Sequence, residues 1–396
     1  MRSTWRVLLA VMTKKIAKVL AVVVLVLLVG CTGYVAVVAA LSSRPVVLPA
    51  LTGSHQVGRT AFEWTDRSRV DPLASDGGPR RLAVWLWYPA TGSGEPAEYM
   101  PGLWRKQQFG GVVGWFETDF ENIRVHAMAD APVADGRFPV VVLSPGMGFS
   151  APQYTAIAED LASHGYLVAG VTPTYSANVS VLDGKLVEST PIGNPQDLGG
   201  PALAEGNKLV DLWAADARFV AGQVANLTGR FAGRVKPGVA YLGHSFGGAA
   251  SLEACRLDRS CAGAVDLDGT QFGGVVEQGL RVPYMILSSE DSCVTGTCGP
   301  KAANPDGEQA AAVSLVKASS GEAVRYVVGG ARHFDFTDYA VYFLAPPISN
   351  LVGMGSIDGR RALAIENHCL AAFLDHAYRG TPLATLARGY PELTAA

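Results

Sequence analysis

The chain has little net charge, few charged residues and no block of one sign. Of its 396 residues, 32 are Lys or Arg and 35 are Asp or Glu, a formal net charge of −3. That balance supplies no basic patch to neutralise nucleic-acid phosphates, so no nucleic-acid partner is expected. Internal repeats and low-complexity tracts are missing, which excludes repeat architectures. An apolar share of 49% against 17% charged residues excludes a disordered chain. The six cysteines contain no C-x-x-C pair, and no histidine stands in register with them, so a zinc ribbon is disfavoured and no metal or cofactor is expected.

Charge is absent altogether from Val19 to Leu41, "VLAVVVLVLLVGCTGYVAVVAAL". Such a run is long enough to cross a bilayer as a helix. Lys14, Lys15 and Lys18 precede it, which places the N-terminus in the cytoplasm and the remaining chain outside. Two variants of export compete with a retained anchor. Leu28-Val29-Gly30-Cys31 has the form of a lipobox that would lipidate Cys31, and the small residues near Ala39 and Ala40 could form a cleavage site for secretion. Apolar sequence continues beyond Cys31, which favours the uncleaved single-pass helix in the cell membrane. Each variant exports the domain, and an oxidising compartment lets Cys255 close on Cys261 and Cys293 on Cys298, with Cys369 left over. Buried free thiols are the alternative.

Apolar runs at 81–89, 138–146, 166–172, 238–243, 261–269, 282–289 and 324–330 read as strands. Helical spacing at 154–165, 207–227 and 361–378 falls among and after them. This alternation predicts an α/β fold with a mostly parallel central sheet covered by helices on both faces. The expected organisation is an anchor or signal segment at 1–43, a linker at 44–60 and one catalytic domain at 61–396, with an insertion at 90–137. The insertion carries Trp104, Phe109, Trp115, Phe116 and Phe120, which read either as packing against the body or as a wall for an acyl or lipid chain.

The most informative stretch is "YLGHSFGGAA" at 241–250. A strand ending at Gly243, a Ser between small residues and a helix from about Gly247 predict a sharp turn that exposes the Ser245 hydroxyl, a nucleophile elbow. A serine hydroxyl needs a base, usually an imidazole held by a carboxylate. Among seven histidines, His333 follows the last apolar strand by a short loop, "GGARHFDF", and so shares the C-terminal sheet edge with Ser245. His244 should point elsewhere. For the acid, Asp268 stands at the tip of the strand after the elbow and Asp266 lies deeper, while Glu290 and Asp291 follow the next strand; spacing alone leaves these open. Backbone N–H groups of Phe246 and of Met147, in the loop after "VVVLSPGMGF", are the expected oxyanion donors.

Several motifs in order, "LWYP", "SPGMG", "YTAIAEDLASHGYLVAGV", "ADARFV", "GHSFGG", "DLDG" and "HFDFTDY", resemble the platelet-activating factor acetylhydrolase family, the plasma and type II branch of the α/β hydrolases. The resemblance covers most of the chain from Arg81 onward. It implies the α/β-hydrolase fold and calcium-independent ester hydrolysis of short or oxidised acyl groups on phospholipids. It also implies Ser245 as nucleophile, His333 as base, Asp268 as acid, and Met147 and Phe246 as oxyanion donors. The oxyanion loop departs from the family's frequent His-Gly start, carrying Pro145-Gly146 instead. A lipase- or cutinase-like hydrolase of polyesters or acylglycerols would instead use Asp291 as the acid. A non-enzymatic alternative is an exported lipid- or wall-binding protein on a degenerate hydrolase fold.

Overall fold

The alternating runs are realised in a computed structural model that describes residues 2–195, 203–296, 298, 305–342, 344–346 and 348–396. The chain begins with helix α1 (Arg2–Ser42). It continues through β1 (Val46–Val47), β2 (Gln56–Val70), β3 (Pro79–Ala90), β4 (Pro96–Glu98), β5 (Ile123–Ala129) and β6 (Phe138–Ser144). Then follow α2 (Thr155–Ser163), β7 (Leu167–Thr172), β8 (Ser180–Leu182), β9 (Lys185–Val187), α3 (Leu203–Ala225), β10 (Val235–His244), α4 (Phe246–Leu257) and β11 (Cys261–Leu267). The last elements are α5 (Val275–Gln278), β12 (Tyr284–Ser289), α6 (Pro305–Ala318), β13 (Ala323–Val328), α7 (Ile348–Val352), α8 (Gly359–Arg379) and β14 (Leu393–Ala395).

Twelve strands form one sheet in the order β1-β5-β2-β3-β7-β6-β10-β11-β12-β13-β14, with β4 beside β5. From β7 to β13 every pairing is parallel. β3 joins β7 antiparallel, as do β2 with β3 and β14 with β13. Strand β3 shows why the central strands read as unbroken apolar runs. Leu82, Val84, Leu86 and Tyr88 enter the core on one face, and Ala83, Trp85 and Trp87 enter the core on the other. A strand buried on both faces has no polar side to alternate with. All seven residues of β6 are likewise buried.

Residues 44–60, expected as a linker, are instead built into the body. Strand β1 pairs with β5, and β2 starts at Gln56. The Thr52 and Gly53 N–H groups donate to Asp160 and Ser163 on α2. The segment's one apolar run, Val46 to Leu51, is short and broken by Pro49, and its order comes from these backbone partners, which composition does not reveal. The insertion is also sheet material in part, because β5 within it pairs with β1, β2 and β4.

The two expected disulfides form. Cys255–Cys261 ties the end of α4 to the start of β11, and Cys293–Cys298 closes a loop after β12. Cys369 is buried and free, and Cys31 lies exposed on α1. Helix α1 contains, within Val11–Ser42, an 18-residue apolar stretch with a mean hydropathy of 2.7 that is almost wholly exposed. A fully buried ion cluster fastens the antiparallel side to a helix on the parallel side: Arg80 on β3 donates to Asp216 on α3 at 2.7 Å and to Asp71 at 2.9 Å.

Candidate active site

The sharp turn predicted around Ser245 is present. Strand β10 ends at His244 and α4 begins at Phe246, leaving Ser245 between them at φ 55°, ψ −127°. A non-glycine residue there is strained by about 1–3 kcal/mol and persists only when its neighbours hold it. The Ser245 N–H donates to Leu267 O at 2.8 Å, pinning the turn to β11. Close approach explains the small residues that follow. A Cβ on Gly247 would lie 2.2 Å from Pro145 O, and one on Gly248 would lie 1.9 Å from Asp266 Oδ1.

Three side chains from three strand ends meet here. Ser245 Oγ lies 3.0 Å from His333 Nε2, and His333 Nδ1 lies 2.7 Å from Asp268 Oδ2. Asp268 follows β11 in a left-handed conformation, φ 52°, and its other oxygen accepts the Ser289 N–H at 2.8 Å. Burial opposes ionisation of this carboxyl, yet the hydrogen bond and charge of His333 and the Ser289 N–H outweigh it, leaving the group below its ordinary range. An ionised Asp268 can only accept, so Nδ1 of a neutral His333 carries the proton. Nε2 is then free to accept from the Ser245 hydroxyl. The His333 side chain remains 39% exposed, while that of Asp268 is 4% exposed.

Asp291 is brought to a different partner. Its carboxylate lies 3.6 Å from Arg332 Nε and is 46% exposed. Glu290 accepts the Gly330 N–H. Asp266 is buried and pushed well up by that burial, and its oxygens accept from Gly269 N–H and Gln271 Nε2. It thereby braces the loop that carries Asp268.

The Phe246 N–H is the first of α4, among the N–H groups of a helix that have no intrahelical acceptor. The loop holding Met147 lies against the elbow, since a Cβ on Gly146 would stand 3.3 Å from Ser245 Cβ. Its shape is tied down by Asn178 N–H and Gln107 Nε2, both donating to Gly148 O.

His244 points away from the Ser245 hydroxyl, and sequence reading missed what it does there. Its Nε2 lies 2.9 Å from His333 O, and its Nδ1 2.9 Å from the Tyr154 hydroxyl, which accepts the Gly146 N–H at 2.8 Å. A carbonyl can only accept, so Nε2 carries the proton and Tyr154 donates to Nδ1. Burial, and then the nearby His333, push His244 down to about 3, which keeps it neutral. A directed chain thus runs from the Gly146 amide through Tyr154 and His244 to the backbone of His333. Asp338 secures the same loop by accepting the Thr155 and Ala156 N–H groups that open α2. "HFDFTDY" therefore contains both the imidazole and its fastening.

Beside His333 is a cavity of about 430 Å³ walled by Phe109, Phe149, Phe334, Tyr339, Leu351 and Val352. Phe149 stacks on Phe334 and Phe109 on Tyr339. The insertion's aromatics lie in different surroundings. Trp104 and Phe120 are buried core, Phe109 walls the cavity, and Trp115 is 68% exposed. Among the described residues, no group of three or more His, Cys, Asp or Glu could hold a metal ion.

Comparison with known proteins agrees with this fold. A ferulic acid esterase from Streptomyces cinnamoneus superposes with a TM-score of 0.73 at 31% identity, over 88% of this chain and 98% of that one. The sequence profile of platelet-activating factor acetylhydrolase, isoform II, matches residues 40–181. Over those residues the chain resembles that family, and its fold is that of the α/β hydrolases. The platelet-activating factor acetylhydrolase of Canis lupus familiaris is 25% identical over 287 residues, 64% of this chain and 63% of that protein. The Bos taurus protein of the same name is 24% identical over 366 residues, 83% of this chain and 76% of its own. A probable 1-alkyl-2-acetylglycerophosphocholine esterase of Arthroderma benhamiae is 23% identical, and the match spans 62% of it. The profile match within this family stops before Ser245, so what ties the three side chains together is the geometry above.

Proposed function

We propose that the protein is a serine esterase, with Ser245 as nucleophile, His333 as general base and acid, and Asp268 as the carboxylate that orients the imidazole. The observation that carries this reading is the unbroken chain from Ser245 Oγ to His333 at 3.0 Å and on to Asp268 at 2.7 Å. Ser245 attacks the ester carbonyl as His333 Nε2 takes its proton, and Asp268 stabilises the imidazolium that forms. The Phe246 and Met147 N–H groups receive the developing oxyanion. His333 returns the proton to the leaving alcohol. Water then enters along the same path and releases the acyl group from Ser245.

The substrates proposed are carboxylic esters with short or oxidised acyl groups, phospholipids among them, in keeping with the names carried by the family's relatives. A second reading, planar aromatic acyl esters, is favoured by the stacked aromatic walls beside His333 and by the name of the Streptomyces relative. Residues 1–43 are proposed as a membrane anchor that leaves the domain outside the cell, where its two disulfides persist.

Exposing the full chain in detergent to a fluorophosphonate tests the nucleophile. One covalent adduct is expected on the Ser245 peptide, and none in Ser245→Ala. An adduct that survives the substitution would remove Ser245 from the mechanism.

A further inference from the structure

Helix α1 does not simply leave the body. Its last turns form one wall of a second cavity, a groove of about 490 Å³, whose facing wall is the insertion. Val35, Val38 and Ala39 stand on the helix side, and Trp115, Phe116 and Glu117 on the other. The helix is tied in place at this level. The Asp119 N–H donates to Ser42 O, the Tyr34 hydroxyl donates to Pro346 O, and the Tyr34 ring lies 6.4 Å from that of Phe116.

Two observations say what the groove holds. The first is depth. A membrane helix crosses the hydrocarbon in about 20 residues, and 20 residues beyond Lys18, the last basic residue before the span, is Val38. The groove therefore sits where the outer leaflet's chains meet its headgroups, the level at which Tyr and Trp collect. Tyr34 and the exposed Trp115 stand there. The second is Glu117. It is 1% exposed, its Oε2 accepts the Phe109 N–H, and its Oε1 has no hydrogen-bond partner. Burial raises the carboxyl to about 8, so Oε1 carries a proton at neutral pH and seeks an acceptor. An apolar trough with one buried donor fits an acyl chain whose ester carbonyl accepts from that donor.

We infer that this groove binds one acyl chain of an outer-leaflet lipid, with the ester carbonyl of the chain against Glu117. The inference rests on the reading of α1 as a retained anchor. The groove also adjoins the aromatic-walled cavity. Gln108 lines both cavities, and Phe109, whose N–H is bonded to Glu117, walls the one beside His333. A lipid held here is delivered from the bilayer without passing through water.

The test uses the full chain carrying Ser245→Ala, which cannot turn over an ester, in phosphatidylcholine vesicles containing a phosphatidylcholine with a diazirine on one acyl chain. After illumination, adducts are expected to concentrate on peptides spanning 34–43 and 110–122. Ala39→Trp fills the groove and Val35→Trp does so one turn earlier. Either should cut those adducts about tenfold, the cost of overfilling a packed site by about 1.4 kcal/mol. Labelling spread evenly along 19–33 and unchanged by either Trp would overturn the groove, as would a mature N-terminus beyond Val38. Failure of the esterase reading is separately visible, as loss of the fluorophosphonate adduct in the unsubstituted protein.

Discussion

The parallel half of the sheet, β7 to β13, and the mixed flank, β1 to β5, divide the work of this protein. The parallel half presents Ser245, Asp268 and His333 from the ends of β10, β11 and β13, strands held in register by a paired neighbour on each side. The flank and its insertion supply Phe109 to the cavity and Trp115, Phe116 and Glu117 to the groove. Reacting groups need fixed geometry, and rigid strand ends give it. Substrate walls need shape, which an insertion can change without disturbing the strands.

Breaking the join between the halves should have the largest effect on stability. Asp216→Ala leaves Arg80 buried with only Asp71 as a charged partner, and removing one member of a buried ion cluster costs about 3–5 kcal/mol. Urea unfolding should show that loss. A change under about 1 kcal/mol would mean that the cluster is not what couples β3 to α3.

A smaller effect separates the halves by pH. His244 has its folded pKa depressed from 6.5 to about 3, so below pH 6.5 the unfolded chain binds a proton that the folded chain refuses. Stability from this residue is full above 6.5 and drains away as pH falls toward about 3. His244→Asn removes that titration. Its unfolding free energy, from urea titrations, should fall less between pH 7 and pH 4 than that of the unsubstituted protein, by at least about 1.4 kcal/mol, the worth of one pKa unit. Equal falls would show that His244 is not held neutral.

The smallest effect belongs to the flank. Phe109→Ala opens the cavity beside His333 and should shift kcat/KM between acetyl and longer or aromatic p-nitrophenyl esters by about tenfold, within the 1–3 kcal/mol that pocket shape commonly controls. An unchanged ratio would place acyl selection outside this cavity.

The same division explains what could be read from the sequence. Strands such as "FPVVVLSPG" and "YLGHS" declare themselves because both faces are buried, and the glycines after Ser245 mark a backbone approach that tolerates no side chain. Within the flank, β3 was legible as an apolar run, whereas β2, "QVGRTAFEWTDRSRV", hid because it alternates burial only in part and carries charges along its length. Its order comes from twelve paired positions on β3, a long-range cause with little local signature. Asp268 and Asp291 are equally plausible by spacing. Only the fold shows that the tip of β11 turns toward His333 while Asp291 faces Arg332. The role of His244 was hidden for a similar reason, because its partners Tyr154 and His333 O come from distant loops.

The central claim is that Ser245, His333 and Asp268 act as one unit, and the most direct measurement is kcat/KM on p-nitrophenyl acetate for Asp268→Asn beside Asp291→Asn. The account predicts a loss of about 10⁴-fold for Asp268→Asn, because the imidazole then loses its orienting anion, and a rate close to the unsubstituted protein for Asp291→Asn. A mild effect at Asp268 with a severe one at Asp291 would contradict it.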